Sequence, residues 1–498
     1  MKTALSWRVL LLLGGLKFTL STQDDNQDSA APSSPDSTLF NEDEGPLYLT
    51  PYIKNQQYDV AKNKSKVQLF QLMANTAAYS GFITVNDTYN SNLFFLFVVA
   101  EENRSDAPVL LWTMGGPGLS ALFGEFLENG PIACTVDGFM PNFSTRANTL
   151  QKNMSIIYLD APLGAGYSFT NDTNGYSKSL DEITDDIMNF LGQFFTLFSE
   201  YKNRDFYVAG ESYAARYSVS IANRMIKNEK QEATANRMTN NEKPALPSLR
   251  GVIGGNGFLG PILDIAESSE FMYQLSMVEK TGCDQFSNQF KEMKKETNAT
   301  IILYMLERTL FTAEPPTLFQ NVTMYKDYLS PAYTERLLSM KLCFVLLNSS
   351  DVRTALHIGQ TLPFQYNNSR MLYSLAPDYI TNIDTTVAKV LNNTPVLLYT
   401  GQFDPLFPSV NQRSYLSQLQ WRYSEEYNAA QRFTWKPPTW GPLDGFAGYL
   451  KQTYTFTDAV ILGMSHYGAI EKPNETYFLM LEFIRNTSTP KKEAAQSQ

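Results

Sequence analysis

Between residues 108 and 254 short apolar runs alternate with helical patterns, and few folds tolerate that order. Pro108-Val109-Leu110-Leu111-Trp112-Thr113, Met154-Ser155-Ile156-Ile157-Tyr158-Leu159 and Phe206-Tyr207-Val208-Ala209 are nearly continuous in apolar residues. Such runs mark strands buried on both faces. Between the second and third, an amphipathic segment begins at Ser179 and continues to about Tyr201. Ser179 with Glu182 three residues on fits a capping box, and the acidic first turn suits the helix dipole. Leu249 to Gly254 is a fourth strand candidate. Strand, helix, strand, helix, strand in this order predicts a mostly parallel sheet with helices on its faces, an α/β fold.

The remaining chain adds to that core. Gly81 to Val85 and Leu93 to Val99 read as an early hairpin, and Asn228 to Pro247 as a polar surface loop. From about 262 to 350 helical periodicity dominates and strands are absent, which predicts a helical cap inserted into the α/β domain. The sheet resumes at Thr394 to Thr400 and continues in a strand pair, Phe446 to Tyr454 and Ala459 to Gly463. A final helix runs from about Pro473 to Arg485.

The N-terminus carries Lys2 and Arg8 before the apolar run Val9 to Leu16, with Ser21 and Thr22 a few positions later. This pattern reads as a secretory signal peptide over residues 1–22. The run is shorter than the ~20 residues that span a bilayer, so no membrane anchor is expected. Residues 23–46 are rich in Ser, Asp, Asn and Pro and read as a disordered or processed leader. The α/β domain is expected over 47–486 and a loose polar tail over 487–498. About a dozen Asn-x-Ser/Thr sequons support export, among them Asn63, Asn86, Asn103, Asn142, Asn321, Asn367 and Asn474. The expected destination is secreted or lysosomal. A formal net charge of -10, with no basic face evident, argues against a nucleic-acid partner. The 3 cysteines, Cys134, Cys283 and Cys343, allow at most one intrachain bridge and exclude a cysteine-based zinc site.

The third apolar run ends in Gly210-Glu211-Ser212-Tyr213-Ala214. Small residues two positions either side of a serine, after a strand and before a helix, form a nucleophile elbow. A serine hydroxyl needs a base, and the chain has only 2 histidines, His357 and His466. His357 sits in a helical pattern and reads as structural. His466 follows a late strand on a loop before the last helix. Asp404 follows the strand Thr394 to Thr400 and supplies the acid. The order Ser212, Asp404, His466 is that of the α/β-hydrolase fold. A glycine-rich stretch after the first buried strand, Met114-Gly115-Gly116-Pro117-Gly118, sits where that fold takes one oxyanion donor. The two donors are assigned to the N–H groups of Gly116 and Tyr213. This chemistry needs no cofactor and no metal.

These motifs, together with Trp112, Glu128-Asn129-Gly130-Pro131, Asp160-Ala161-Pro162-Leu163-Gly164-Ala165-Gly166-Tyr167-Ser168 and Gly254-Gly255-Asn256-Gly257, resemble those of the serine carboxypeptidases. Gly401-Gln402-Phe403-Asp404 and Phe446-Ala447-Gly448-Tyr449 are similar to the vitellogenic-like members. The resemblance runs from about 47 to 486. It implies a lysosomal or secreted enzyme that removes C-terminal residues from peptide substrates in acid. It places Ser212, Asp404 and His466 on the family triad, Gly116 and Tyr213 on its oxyanion hole, and Glu128 and Glu211 on the pair that holds the substrate's terminal carboxylate. Two adjoining carboxylates cannot easily both ionise, so they would share a proton that is lost as pH rises.

The chain also departs from the family pattern. Met114 replaces an asparagine that binds the terminal carboxylate, Leu119 a cysteine, Ala121 a serine and Ala215 a glycine. The usual Gly-His-x-x-Pro becomes Ser465-His466-Tyr467-Gly468-Ala469. Tyr467 is a candidate for lining the terminal-residue pocket. These changes leave two further readings open: a weak or inactive binding protein, and an esterase or acyltransferase on the same scaffold. The sequence is silent on assembly and compatible with a homodimer.

Overall fold

The computed structural model describes residues 45–102, 104–236, 246–311 and 316–488. The signal peptide, nearly all of the leader, Asn103 and the tail beyond Ser488 lie outside them. Ten strands form one sheet in the order β1-β2-β6-β3-β7-β8-β9-β12-β11-β10. They are β1 (Ala78–Asn86), β2 (Ser91–Val98), β3 (Val109–Thr113), β6 (Ser155–Leu159), β7 (Phe206–Glu211), β8 (Leu249–Gly255), β9 (Val396–Gly401), β10 (Phe433–Trp435), β11 (Gly448–Gln452) and β12 (Phe456–Ile461). The six strands from β6 to β12 in that order pair in parallel, and antiparallel strands close both edges. Every residue of β3, β6 and β7 is buried, as their unbroken apolar runs require.

Alternate side chains feed two cores. Phe95, Phe97, Leu111, Ile157, Leu159, Phe206 and Val208 pack on one face, against Ile187, Phe190 and Phe194 of helix α1 (Leu180–Leu197). Phe94, Leu96, Leu110, Trp112, Ile156, Tyr158 and Ala209 pack on the other. Each such aliphatic or aromatic side chain contributes about 1.5–3 kcal/mol when fully buried. The α1 cap is half a capping box. Ser179 Oγ accepts from the Glu182 N–H, but the Glu182 carboxylate reaches one residue further back, to the Lys178 N–H at 2.8 Å.

The structure departs from the sequence expectations in four places. Helix α2 (Ala214–Asn236) continues through the first part of the segment read as a loop from Asn228. The helical insertion does not end near 350 but runs from Ile262 to Leu391, and includes α3 (Leu338–Leu347) and α4 (Ala376–Ile380). Its later helices have five to eight residues, too few to show a period. A separate hairpin, β4 (Ile132–Asp137) with β5 (Met140–Thr145), was not anticipated, because its outward positions break the apolar pattern. The last helix, α5 (Pro473–Thr487), ends two residues beyond the sequence estimate.

Candidate active site

The C-terminal ends of the parallel strands carry the site. At the end of β7 the chain turns sharply into α2, and Ser212 sits at the apex with φ of 57°. A non-glycine residue in this left-handed region is uncommon and is held only by its surroundings. The turn is tight enough that a Cβ on Gly210 would lie 2.4 Å from the Ala214 carbonyl oxygen. The glycine-rich loop after β3 lies against the elbow. A Cβ on Gly115 would lie 2.7 Å from the Tyr213 nitrogen. The next residue, Gly116, is fixed from behind, since the Tyr379 hydroxyl of α4 donates to its carbonyl at 2.9 Å.

The three residues assigned to the triad come together. His466 Nε2 lies 3.1 Å from Ser212 Oγ, and His466 Nδ1 lies 2.7 Å from Asp404 Oδ2. Asp404 is fully buried, and its other oxygen accepts from the N–H groups of Leu406 at 2.9 Å and Phe407 at 3.0 Å. The parallel pairing of β9 with β12 brings Gly401 opposite Ile461, so the loops carrying Asp404 and His466 emerge side by side. Asn256 laces them to the sheet: it donates to Ser465 O at 3.0 Å and accepts from the Gly401 N–H at 2.8 Å. His357, the other histidine, lies away from the triad, with its Nδ1 2.9 Å from Ser80 Oγ of β1.

Glu128 and Glu211 also meet. Glu128 sits in a buried π-helical turn (Gly124–Asn129), Glu211 ends β7, and the two carboxyls are near enough for each to shift the other's titration. Burial pushes both carboxyls above the usual range, and the adjacent Glu211 charge raises Glu128 further. Tyr399 of β9 donates to Glu211 and opposes part of its shift. A third carboxyl, Glu125, lies one turn before Glu128, and burial pushes it up to about 8. Arg146 clamps this turn from the hairpin, donating to the carbonyls of Glu125, Phe126 and Gly130.

Met114 is nearly buried, and its sulfur accepts from the Trp112 indole N–H at 3.2 Å. Tyr467 does not face an open pocket. It is buried, and its hydroxyl donates to Asp327 and accepts from the Leu337 N–H. Sequence reasoning gave no role to Tyr399, Tyr379, Asp378, Arg146 or Asp327. Each acts across a tertiary contact and carries no local spacing signal. Asn256 alone stood inside a recognised motif. The cysteine count allowed one bridge, and all three thiols are free in this structure.

A profile of the Peptidase_S10 family, described as serine carboxypeptidase, matches residues 69–486. The chain is 33% identical over 447 residues to the Homo sapiens protein named "Probable serine carboxypeptidase CPVL", covering 88% of this chain and 89% of that one. It is 31% identical to the "Venom serine carboxypeptidase" of Apis mellifera (90% and 93% covered). It is 29% identical to the "Vitellogenic carboxypeptidase" of Aedes aegypti (91% and 92%). Among solved structures, a prohormone-processing carboxypeptidase from Saccharomyces cerevisiae shares the fold with a TM-score of 0.67 at 17% identity, covering 85% of this chain and 96% of that one. With its α/β-hydrolase sheet and a family match that spans nearly all the described residues, this chain is a peptide hydrolase that belongs to the serine carboxypeptidase family.

Proposed function

We propose that the chain releases C-terminal residues from peptides by a Ser-His-Asp acyl-enzyme mechanism that works best in acid. The observation that carries this reading is the hydrogen-bonded line Ser212–His466–Asp404 set beside the adjoining buried carboxyls of Glu128 and Glu211. His466 Nε2 takes the proton as Ser212 Oγ attacks the scissile carbonyl carbon. Asp404 holds the imidazole in the tautomer with a proton on Nδ1 and stabilises the imidazolium. The N–H groups of Gly116 and Tyr213 receive the charge on the carbonyl oxygen, and one such donor is worth about 2.7–4 kcal/mol in the transition state. His466 then returns the proton to the leaving amine, and water hydrolyses the acyl-enzyme by the same steps in reverse.

Glu128 and Glu211 hold the substrate's terminal carboxylate. While they share a proton, one carboxyl donates to it. As pH rises the proton leaves, and two charges face a third. Binding therefore weakens towards neutral pH, which gives acid preference a physical cause.

Export completes the proposal. Asn63, Asn142, Asn321, Asn367 and Asn474 stand exposed and Asn86 is half-buried, so glycans could be carried without unfolding. No helix among the described residues is long and apolar enough to cross a membrane. A secreted or lysosomal destination follows from the signal-peptide pattern. The esterase reading gains from Met114, because a site without the amide donor has less hold on a free carboxylate.

The test is direct. The purified protein is expected to cleave a blocked dipeptide with a free C-terminus near pH 5. Ser212→Ala should abolish cleavage, and a serine-directed phosphonate should label the wild type alone. Equal cleavage of the matching C-terminal amide would replace the exopeptidase reading with a general acyl hydrolase. No labelling would leave a binding protein.

A further inference from the structure

Cys134 lies in β4 and Cys343 in α3, two elements that pack against each other although they are far apart in sequence. Both side chains are buried in the same apolar cluster, at 6% and 0% exposure. The two thiols are near enough for each to shift the other's titration. The third cysteine, Cys283, belongs to the core on the other face of the sheet, where its thiol points at Glu270 Oε2 at 3.9 Å.

We propose that Cys134 and Cys343 are joined by a disulfide in the exported protein, and that Cys283 stays a free thiol. The inference rests on the export reading, because cystines persist in oxidising compartments. A bridge requires backbones that approach closely, and the packing of α3 on β4, with both side chains buried in one cluster, supplies that approach. The pair is also electrostatically unequal. The neighbouring Cys343 and the Arg146 guanidinium hold Cys134 below the usual thiol range, while the Cys134 thiol and burial push Cys343 up. Cys134 is therefore the attacking thiolate.

The chemistry needs a disulfide oxidant of the glutathione class. The Cys134 thiolate attacks one sulfur of that oxidant, whose S–S bond breaks and whose other half leaves and takes up a proton. Cys343 loses its proton and attacks the Cys134 sulfur of the mixed disulfide, and the second half of the oxidant leaves as a thiol. Two protein thiols are oxidised to one cystine, and one small disulfide is reduced to two thiols. The product ties the helical insertion to the strand that leaves the Glu128 turn. In the unfolded chain it would close a long loop, the case in which a cross-link stabilises most.

The experiment counts and maps thiols in the full-length exported protein. It is denatured without reductant in an alkylating reagent, digested, and analysed by mass. The expected result is an alkylated Cys283 and a cross-linked peptide pair joining positions 134 and 343, lighter by two hydrogen atoms and lost on reduction. A bridge that includes Cys283 overturns the proposal. If all three thiols are alkylated, the native protein is incubated with oxidised glutathione and mapped again. A 134–343 bridge formed there upholds the pairing and moves the fault to the export reading. Three alkylated thiols there overturn the pairing itself.

Discussion

Met114 stands where the family resemblance implies an asparagine, and the physical consequence is specific. Its sulfur is engaged by the Trp112 indole, and a thioether has no proton to donate. The substrate's terminal carboxylate is left to the Glu128–Glu211 pair and nearby backbone groups. A hydrogen bond to a charged group contributes about 1.5–3 kcal/mol, and about 1.4 kcal/mol is tenfold in affinity. Met114→Asn is accordingly expected to lower KM for a blocked dipeptide with a free C-terminus by about tenfold. KM for the corresponding ester should not move. Steady-state kinetics on the two substrates checks this, and an equal change in both would place the side chain away from the terminal carboxylate.

The base loop makes a related point for whole elements. The family's proline after the base is Ala469 here, so the loop cannot rely on a stiff residue. The insertion holds it instead. The His466 N–H donates to Leu329 O at 2.9 Å. The Tyr467 hydroxyl joins Asp327 and the Leu337 N–H, and Arg336 lies 3.2 Å from Asp327. Glu471 accepts from Ser465 N and Oγ, both at 2.7 Å, and from Ser330 Oγ at 3.2 Å. If this lacing positions His466, Tyr467→Phe keeps the ring and loosens the base. A fall in kcat on the order of tenfold is expected, from the rate cost of a small misplacement. KM should change little, and phosphonate labelling should slow in step. A lower Tm with unchanged kcat would make the contact structural only. None of this lacing was legible in the sequence. The core elements were, because β3, β6 and β7 are unbroken apolar runs and α1, with 18 residues, is long enough to show a helical period. The short helices between Ser350 and Leu391 are not, although one of them, α4, places Asp378 and Tyr379 against the elbow. Asp378 there accepts from the Tyr213 hydroxyl and pairs with buried Arg216 at 3.5 Å.

Across the whole molecule, the chemistry was more legible than its support. Ser212, Asp404 and His466 could be chosen because the chain has 2 histidines and strand ends occur in a fixed order. The number of buried carboxyls could not be chosen in that way, since burial is a property of the assembled fold. Burial pushes Glu125 up to about 8, Asp160 up to about 7 and Asp186 up to about 6, and it raises Glu128, Glu211 and Asp458 as well. In the unfolded chain these groups ionise near the ordinary values of 4.5 for glutamate and 3.8 for aspartate. Between those values and about 8 the native state therefore binds more protons than the unfolded state, and stability must fall as pH rises. The stabilisation is complete below about pH 4 and is lost in steps as the buried carboxyls ionise, Glu125 at about pH 8. Scanning calorimetry at constant ionic strength is expected to give a higher Tm at pH 5 than at pH 8. The net charge of -10 at pH 7 adds self-repulsion in the same direction, so the slope alone does not identify its source. Glu125→Gln separates the two. It removes one buried titration and leaves the titrating surface groups in place, so the variant should gain on the wild type as pH rises and show a flatter Tm profile. A profile parallel to the wild type would mean that Glu125 is already ionised in the fold, held by Arg146, and would return the acid stability to surface charge.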